Sequence, residues 1–412
     1  MKTPAYSQYL LLGAVVMTAL GQTIVYAILP SLGRATGLAD FHVGAIISFS
    51  AIFFALASAV WGRYSEYVGR KPVVVIGLTG YGVGTLLFAS AFWIGLKGWV
   101  LGTALLVLLM LTRVLQSVIM AATPPAVAAY MADTSAPEVR TKAMAKIGAS
   151  HNLGTVVGPA AGGAIAAISL VAPLYISAVL ILLMAVAVMK LMPESPYILS
   201  RPKPDTPFQV LPTLKSTIKA YFDPRLSPVL IIGISLFFAF AVVQQTLGFL
   251  IQDRLDLAPT VAAGRVGIAM MFAAIASISA QVIIVQKLTW SALRLLKVAT
   301  PLMVIGVALL IPAQNLTQII VAISIAGLGV GLGMPGVTSA ASLMVGAQEQ
   351  GAVAGLMSAA PAFGYTLGPV VGTGLYQLNQ TAPYLLVIVL FIPVIRTVWR
   401  LKLHRSEENT NS

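Results

Sequence analysis

Twelve stretches of about 20 consecutive apolar residues recur from one end of this chain to the other, and no other feature constrains its folding as severely. An α-helix rises about 1.5 Å per residue, so a run of that length crosses the roughly 30 Å hydrocarbon layer of a bilayer. Inside that layer every backbone N–H and C=O must be bonded within the protein, which leaves the helix as the spanning element for such runs. The approximate spans are 8–31, 43–62, 73–94, 99–131, 143–167, 171–192, 228–251, 264–286, 296–312, 317–345, 350–376 and 382–401. Charged residues make up 9% of the 412 residues, against about 25% in soluble domains. The expected fold class is an all-α integral membrane protein with twelve transmembrane helices. Lys2 before the first run resembles the start of a cleaved signal peptide, but the length of that run and the eleven spans after it predict a retained helix.

The net charge of +13 raises the question of a nucleic-acid partner. With both termini in the cytoplasm, 20 of the 25 basic residues fall inside, whereas Arg34, Lys97, Arg254 and Arg265 fall outside and Arg113 lies within a span. That bias is the positive-inside pattern of a multi-pass protein of the cytoplasmic membrane, so no nucleic-acid partner is needed to explain the charge. The chain has no cysteine, which removes disulfides, thiol chemistry and cysteine-ligated metals.

The longest hydrophilic stretch, residues 193–227, is rich in proline and charge and reads as a cytoplasmic linker. It separates six spans (1–192) from six spans (228–412). The two halves carry one motif: Gly154, Gly158, Pro159 and Gly162 in the fifth span recur 210 residues later as Gly364, Gly368, Pro369 and Gly372 in the eleventh. An even number of spans per half gives the halves one orientation, a parallel repeat found among transporters. Glycine every fourth residue lets helices approach backbone to backbone, and the proline removes a hydrogen bond and bends the helix. Close packing alone explains most such motifs; two symmetric copies point to bent helices at a boundary where one half rocks against the other.

Three segments carry a family resemblance. "GTVVGPAAGG" in the fifth span resembles the antiporter motif of the major facilitator superfamily in its twelve-span drug:proton antiporter branch. "GRYSEYVGRK", residues 62–71, is similar to that superfamily's loop signature G-x-L-A-D-R-x-G-R-K, with Gly62, Gly69, Arg70 and Lys71 matching and Tyr64, Glu66 and Tyr67 replacing leucine, aspartate and arginine. "LTRVLQSV" in the fourth span fits R-x-x-Q-G through Arg113 and Gln116, with Ser117 in place of glycine. The resemblance implies two pseudo-symmetric six-helix bundles and transport by alternating access, and since the sequence offers no nucleophile, metal or cofactor constellation, no enzymatic chemistry is expected. In physical terms, Glu66 can accept bonds from helix N-termini or Arg70, and Arg70 and Lys71 can pair with Asp133 to latch the cytoplasmic side; a role in membrane orientation alone is the alternative.

Ionisable groups inside spans are costly and therefore candidates for function. Arg113 and His151 are the two placed near mid-depth, and no Asp or Glu lies deep in any span. Drug antiporters of the branch resemble one another in a carboxylate on the first span, where this chain has Gln22 and Tyr26. Arg113 can grip a carboxylate through two parallel bonds, with Gln22, Tyr26, Gln116, Gln244 and Gln245 as neutral contacts. His151, with an unperturbed pKa of about 6.5, can exchange protons near neutrality. Structural roles stay open: Arg113 bonding carbonyls freed by Pro124, His151 as a neutral buried histidine, and the two glutamines as interhelical glue.

The resemblance implies a secondary transporter, proton-coupled and exporting a small molecule, either drug-like or, as the electropositive pocket favours, an anionic, carboxylate-type metabolite such as the siderophores exported by relatives of the family. A proton-coupled importer shares the fold; a non-transporting membrane sensor is the third reading and lacks a signalling domain. The expected partners are a small-molecule substrate, protons and the bilayer, with no cofactor or metal and a monomeric state.

Overall fold

Long helices occupy each of the twelve expected positions. The computed structural model describes residues 5–135, 140–200, 210, 225–288, 290–345 and 350–401; most of the 193–227 linker lies outside them. In chain order the helices are α1 (Ala5–Ala35), α2 (Asp40–Val68), α3 (Arg70–Leu96), α4 (Gly102–Met120), α5 (Thr123–Asp133), α6 (Arg140–Ala166), α7 (Ala172–Leu191) and the short α8 (Pro196–Ser200). Then follow α9 (Ser227–Leu255), α10 (Pro259–Ala280), α11 (Ala292–Leu310), α12 (Leu316–Leu343), α13 (Gln350–Leu378) and α14 (Ala382–Arg400). Among the described residues, 10 helices are long and apolar enough to cross a membrane. The remaining two long helices, α6 and α13, carry the glycine-proline motif, and three basic residues near the start of α6 (Arg140, Lys142, Lys146) lower its mean hydropathy.

Local signals set several helix ends. Proline occupies the first turn of α7, α9 and α14, where its missing N–H has no intrahelical partner to lose. Asn315 caps α12 by accepting the Gln318 N–H at 2.9 Å, and Ser291 opens α11. Gly69 joins α2 to α3 with φ near 113°, a value that L side chains rarely adopt. α10 ends in a π-helical segment, Gln281–Lys287.

The fourth and tenth spans differ although both carry a proline 34 or 35 residues before that of the glycine motif, Pro124 and Pro335. Pro124 and Pro125 together remove two consecutive N–H donors, and the helix breaks at Ala121–Ala122 between α4 and α5. The Val118 carbonyl, left without its usual donor, accepts the Trp61 indole N–H at 2.8 Å. A single Pro335 leaves α12 continuous.

The chain divides into two units, Met1–Ser216 with Leu257–Ile268, and Thr217–Asp256 with Ala269–Ser412. In the first, α1 packs on α6 and α3 packs on α4 and α7. In the second the same order recurs, with α9 on α13 and α11 on α12 and α14. The first unit's core runs through Leu11, Val74, Leu78, Tyr81, Val127, Tyr130 and Ile181.

Candidate functional site

Three helices of the first unit converge on one buried cation. Arg113 on α4 is 2% exposed, about 16 Å along its helix from Gly102. Its guanidinium donates to Gln116 Oε1 at 2.6 Å, and the Gln116 amide donates to Thr85 Oγ1 on α3 at 2.5 Å. The guanidinium carbon stands 5.5 Å from the Phe88 ring centroid, a cation–π distance. Tyr26 on α1 and Tyr81 on α3 are buried in the same unit. The Tyr26 hydroxyl accepts from Gln22 Nε2 at 3.0 Å, and the Tyr81 hydroxyl donates to the Thr18 carbonyl at 3.3 Å. Among the described residues no carboxylate pairs with Arg113, and its Nε is buried without a hydrogen-bond partner. Arg113 bonds a side chain, not the carbonyls freed at Pro124. A buried cation held only by neutral groups carries a large desolvation cost, and an anion offsets it.

In the second unit, Gln244 on α9 accepts from the Tyr365 hydroxyl of α13 at 2.9 Å. Gln245 is fully buried, and neither its amide nitrogen nor its amide oxygen has a partner. A buried amide with both ends free costs a few kcal/mol unless something polar reaches it.

The glycine motif brings backbones together inside each unit. A methyl group on Gly154 would lie 2.7 Å from Ala19 Cβ, one on Gly158 would lie 2.7 Å from the Leu20 carbonyl oxygen, and Gly162 faces Ile24. In the second unit Gly364 meets Phe237, Gly368 meets Phe238 and Ala241, and Gly372 meets Val242. Ala19, Leu20, Thr23 and Ile24 correspond to Phe237, Phe238, Ala241 and Val242 at one constant offset of 218 residues. The face just past Pro159 has a second neighbour, where the Gly163 backbone lies against Ala263, Gly264 and Gly267 within the first unit.

At the corner between α2 and α3, Arg70 donates to Asp133 Oδ2 at 3.1 Å and to Ser65 Oγ at 2.6 Å. Ser195 Oγ donates to the same Asp133 oxygen at 3.0 Å. Glu194 takes the N-terminal amides of α3, accepting from Arg70 N at 3.0 Å and Lys71 N at 3.2 Å. A carboxylate there meets the positive end of the helix dipole. Any β-carbon on Gly69 would collide with this carboxylate. Glu66 is exposed one turn before the corner, and Gly62 packs on Pro125. Residue patterns alone did not single out Glu194 and Ser195, although "MPESP" directly after an apolar span places a carboxylate at a membrane face.

His151 lies about 16 Å along α6 from Arg140 and is exposed. At 3.6 residues per turn its face is roughly 160° from that of Leu153 and roughly 120° from that of Val157, the exposed apolar residues beside it. Its ring therefore projects away from this apolar stripe. Thr85, Tyr81, Phe88 and Tyr365 also reach the polar groups; their signal in the sequence is weak, since isolated hydroxyls and rings in apolar spans are common.

A family model described as the Major Facilitator Superfamily matches residues 11–317. Multidrug resistance protein 1 of Bacillus subtilis is 25% identical over 389 residues, covering 93% of this chain and 94% of that protein. The class C tetracycline resistance protein of Escherichia coli is 32% identical over 173 residues, 41% of this chain and 40% of that protein. Among solved structures, the nucleoside transporter NupG superposes with a TM-score of 0.74 at 12% identity over 96% of this chain and 98% of that one, a likeness of fold.

Proposed function

Since this chain belongs to the Major Facilitator Superfamily, a family of multi-pass membrane transporters and not enzymes, we propose that it exports a small organic anion in exchange for protons by alternating access. Export is supported by the resistance proteins among its relatives. The observation that carries the choice of cargo is the buried Arg113 guanidinium, which pairs with Gln116 and with no carboxylate among the described residues. A carboxylate-bearing cargo supplies the missing counter-charge through paired charge-assisted bonds, while Gln22, Tyr26 and Gln116 contact its neutral parts. Carboxylate-bearing drugs and siderophore-type metabolites both have that chemistry.

His151 is the proton carrier in this reading. It is the ionisable side chain near mid-depth whose ordinary pKa of about 6.5 lies close to physiological pH, and its face is turned from the apolar stripe of α6. Protonation on the outer side and loss of that proton on the inner side tie each cycle to the gradient. The glycine contacts of α6 on α1 and of α13 on α9 keep each proline-bearing helix locked to the first helix of its own unit, so the units move as bodies. The Arg70–Asp133 pair closes the cytoplasmic end.

The test uses everted membrane vesicles with an imposed proton gradient and a fluorescent carboxylate drug. Gradient-driven uptake that His151→Ala abolishes is expected. Full pH-dependent uptake by His151→Ala removes the proton role, and uptake unaffected by collapsing the gradient removes the coupling.

A further inference from the structure

Where α11 begins and α14 ends, basic side chains and indoles share one surface of the second unit. The Arg294 guanidinium lies 4.2 Å from the centroid of the Trp290 ring, and the Lys297 ammonium lies 4.7 Å from that of Trp399. Arg396 and Arg400, both exposed, flank Trp399 on α14. Among the described residues none of these four cations makes an ion pair. Arg294 occupies an unfavourable position, in the first turn of α11 at the positive end of its dipole, where cations are disfavoured and anions favoured.

The adjoining face of α14 indicates which anion belongs there. Leu385, Val389, Ile392 and Trp399 are all at least half exposed and follow one another at spacings of four, three and seven residues, with Arg396 between the last two. This is a single outward stripe, apolar along its length and basic at its end. An acyl chain fits the first part and a phosphate the second.

We propose that this end of the α11–α14 pair is a binding site for one anionic phospholipid of the cytoplasmic leaflet. Lys297 and Arg396 grip the phosphate, Arg294 and the α11 N-terminus add to the field, and Trp399 fixes the depth of the headgroup. Indoles favour the membrane interface, and a basic pocket between helices on the cytoplasmic side suits such headgroups. A merely topological role for these cations requires no lipid preference, which makes the two accounts separable.

The experiment is native mass spectrometry of the purified full chain titrated with phosphatidylglycerol, with phosphatidylcholine as the neutral comparison. Phosphatidylglycerol is expected to bind more tightly, and the Lys297→Gln/Arg396→Gln double variant is expected to lose roughly tenfold in its affinity. Lys97→Gln, which removes a cation over Trp93 in the loop after α3, is expected to leave that affinity unchanged. Millimolar inorganic phosphate is expected not to displace the lipid. Without any substitution, brominated phosphatidylglycerol is expected to quench the tryptophan fluorescence of vesicle-embedded protein more than brominated phosphatidylcholine does. Equal affinity for the two lipids, equal quenching by them, or an unchanged double variant overturns the proposal; displacement by phosphate overturns it in favour of a soluble-anion site.

Discussion

Gly158 on α6 lies so close to Leu20 on α1 that a methyl group in place of its hydrogen would stand 2.7 Å from the Leu20 carbonyl oxygen. Gly368 stands in the same relation to Phe238, at 3.0 Å. Neither backbone oxygen can retreat without distorting its own helix. Gly158→Ala and Gly368→Ala are therefore expected to cost about 1–3 kcal/mol each by overpacking, and Gly158→Leu to abolish transport in a protein that still reaches the membrane. Thermal unfolding in detergent and a transport assay check this. The same methyl group would collide with the Thr23 hydroxyl, so Thr23→Ala is expected to recover part of the Gly158→Ala loss but not the part due to the carbonyl.

The Arg70–Asp133 pair is 3.1 Å long and largely shielded, and Ser65 and Ser195 bond its two ends. Arg70→Ala is expected to open the cytoplasmic side. The chain has no cysteine, so a single Gly148→Cys on α6, where an added β-carbon meets nothing within 4 Å, reports access to maleimide without background. Faster labelling in the Arg70→Ala background is the expected result; unchanged labelling counts against the latch.

Glu194 reaches the first amides of α3 from the far end of α7, across 124 residues of sequence. Glu194→Ala is expected to destabilise the first unit by about 1 kcal/mol, and Glu194→Gln by less, since the amide oxygen still accepts while the charge facing the dipole is lost. Gly69→Ala is expected to cost more than either, because it meets both a left-handed backbone and the same carboxylate. Thermal unfolding of the purified chain ranks the three.

The helices were legible because a bilayer demands one solution from every apolar run, and the repeat was legible because glycine at a backbone contact has no substitute. The partner faces of that repeat were not. Ala19, Leu20, Thr23 and Ile24 share no residue identity with Phe237, Phe238, Ala241 and Val242, although they hold equivalent positions. The surface opposite a glycine needs only a backbone, so sequence leaves no mark there. Arg113 was legible as a rare buried charge, whereas its tether to Thr85 depends on how α3 is rotated, which periodicity does not fix in a span that is apolar on every side. The span expected as one helix over 99–131 is broken at Ala121–Ala122, where Pro124-Pro125 interrupts it, and the rescue of the Val118 carbonyl by Trp61 depends on packing between α2 and α4.

Arg113 is expected to select an anionic cargo. The direct measurement is the initial rate of proton-driven uptake of a carboxylate drug into everted vesicles, wild type against Arg113→Gln, with a cationic dye run in parallel. Loss of one charge-assisted pair predicts at least about a tenfold drop for the carboxylate with no drop for the dye. Equal carboxylate rates in the two proteins, or a cationic dye that outcompetes every carboxylate in the wild type, contradicts it.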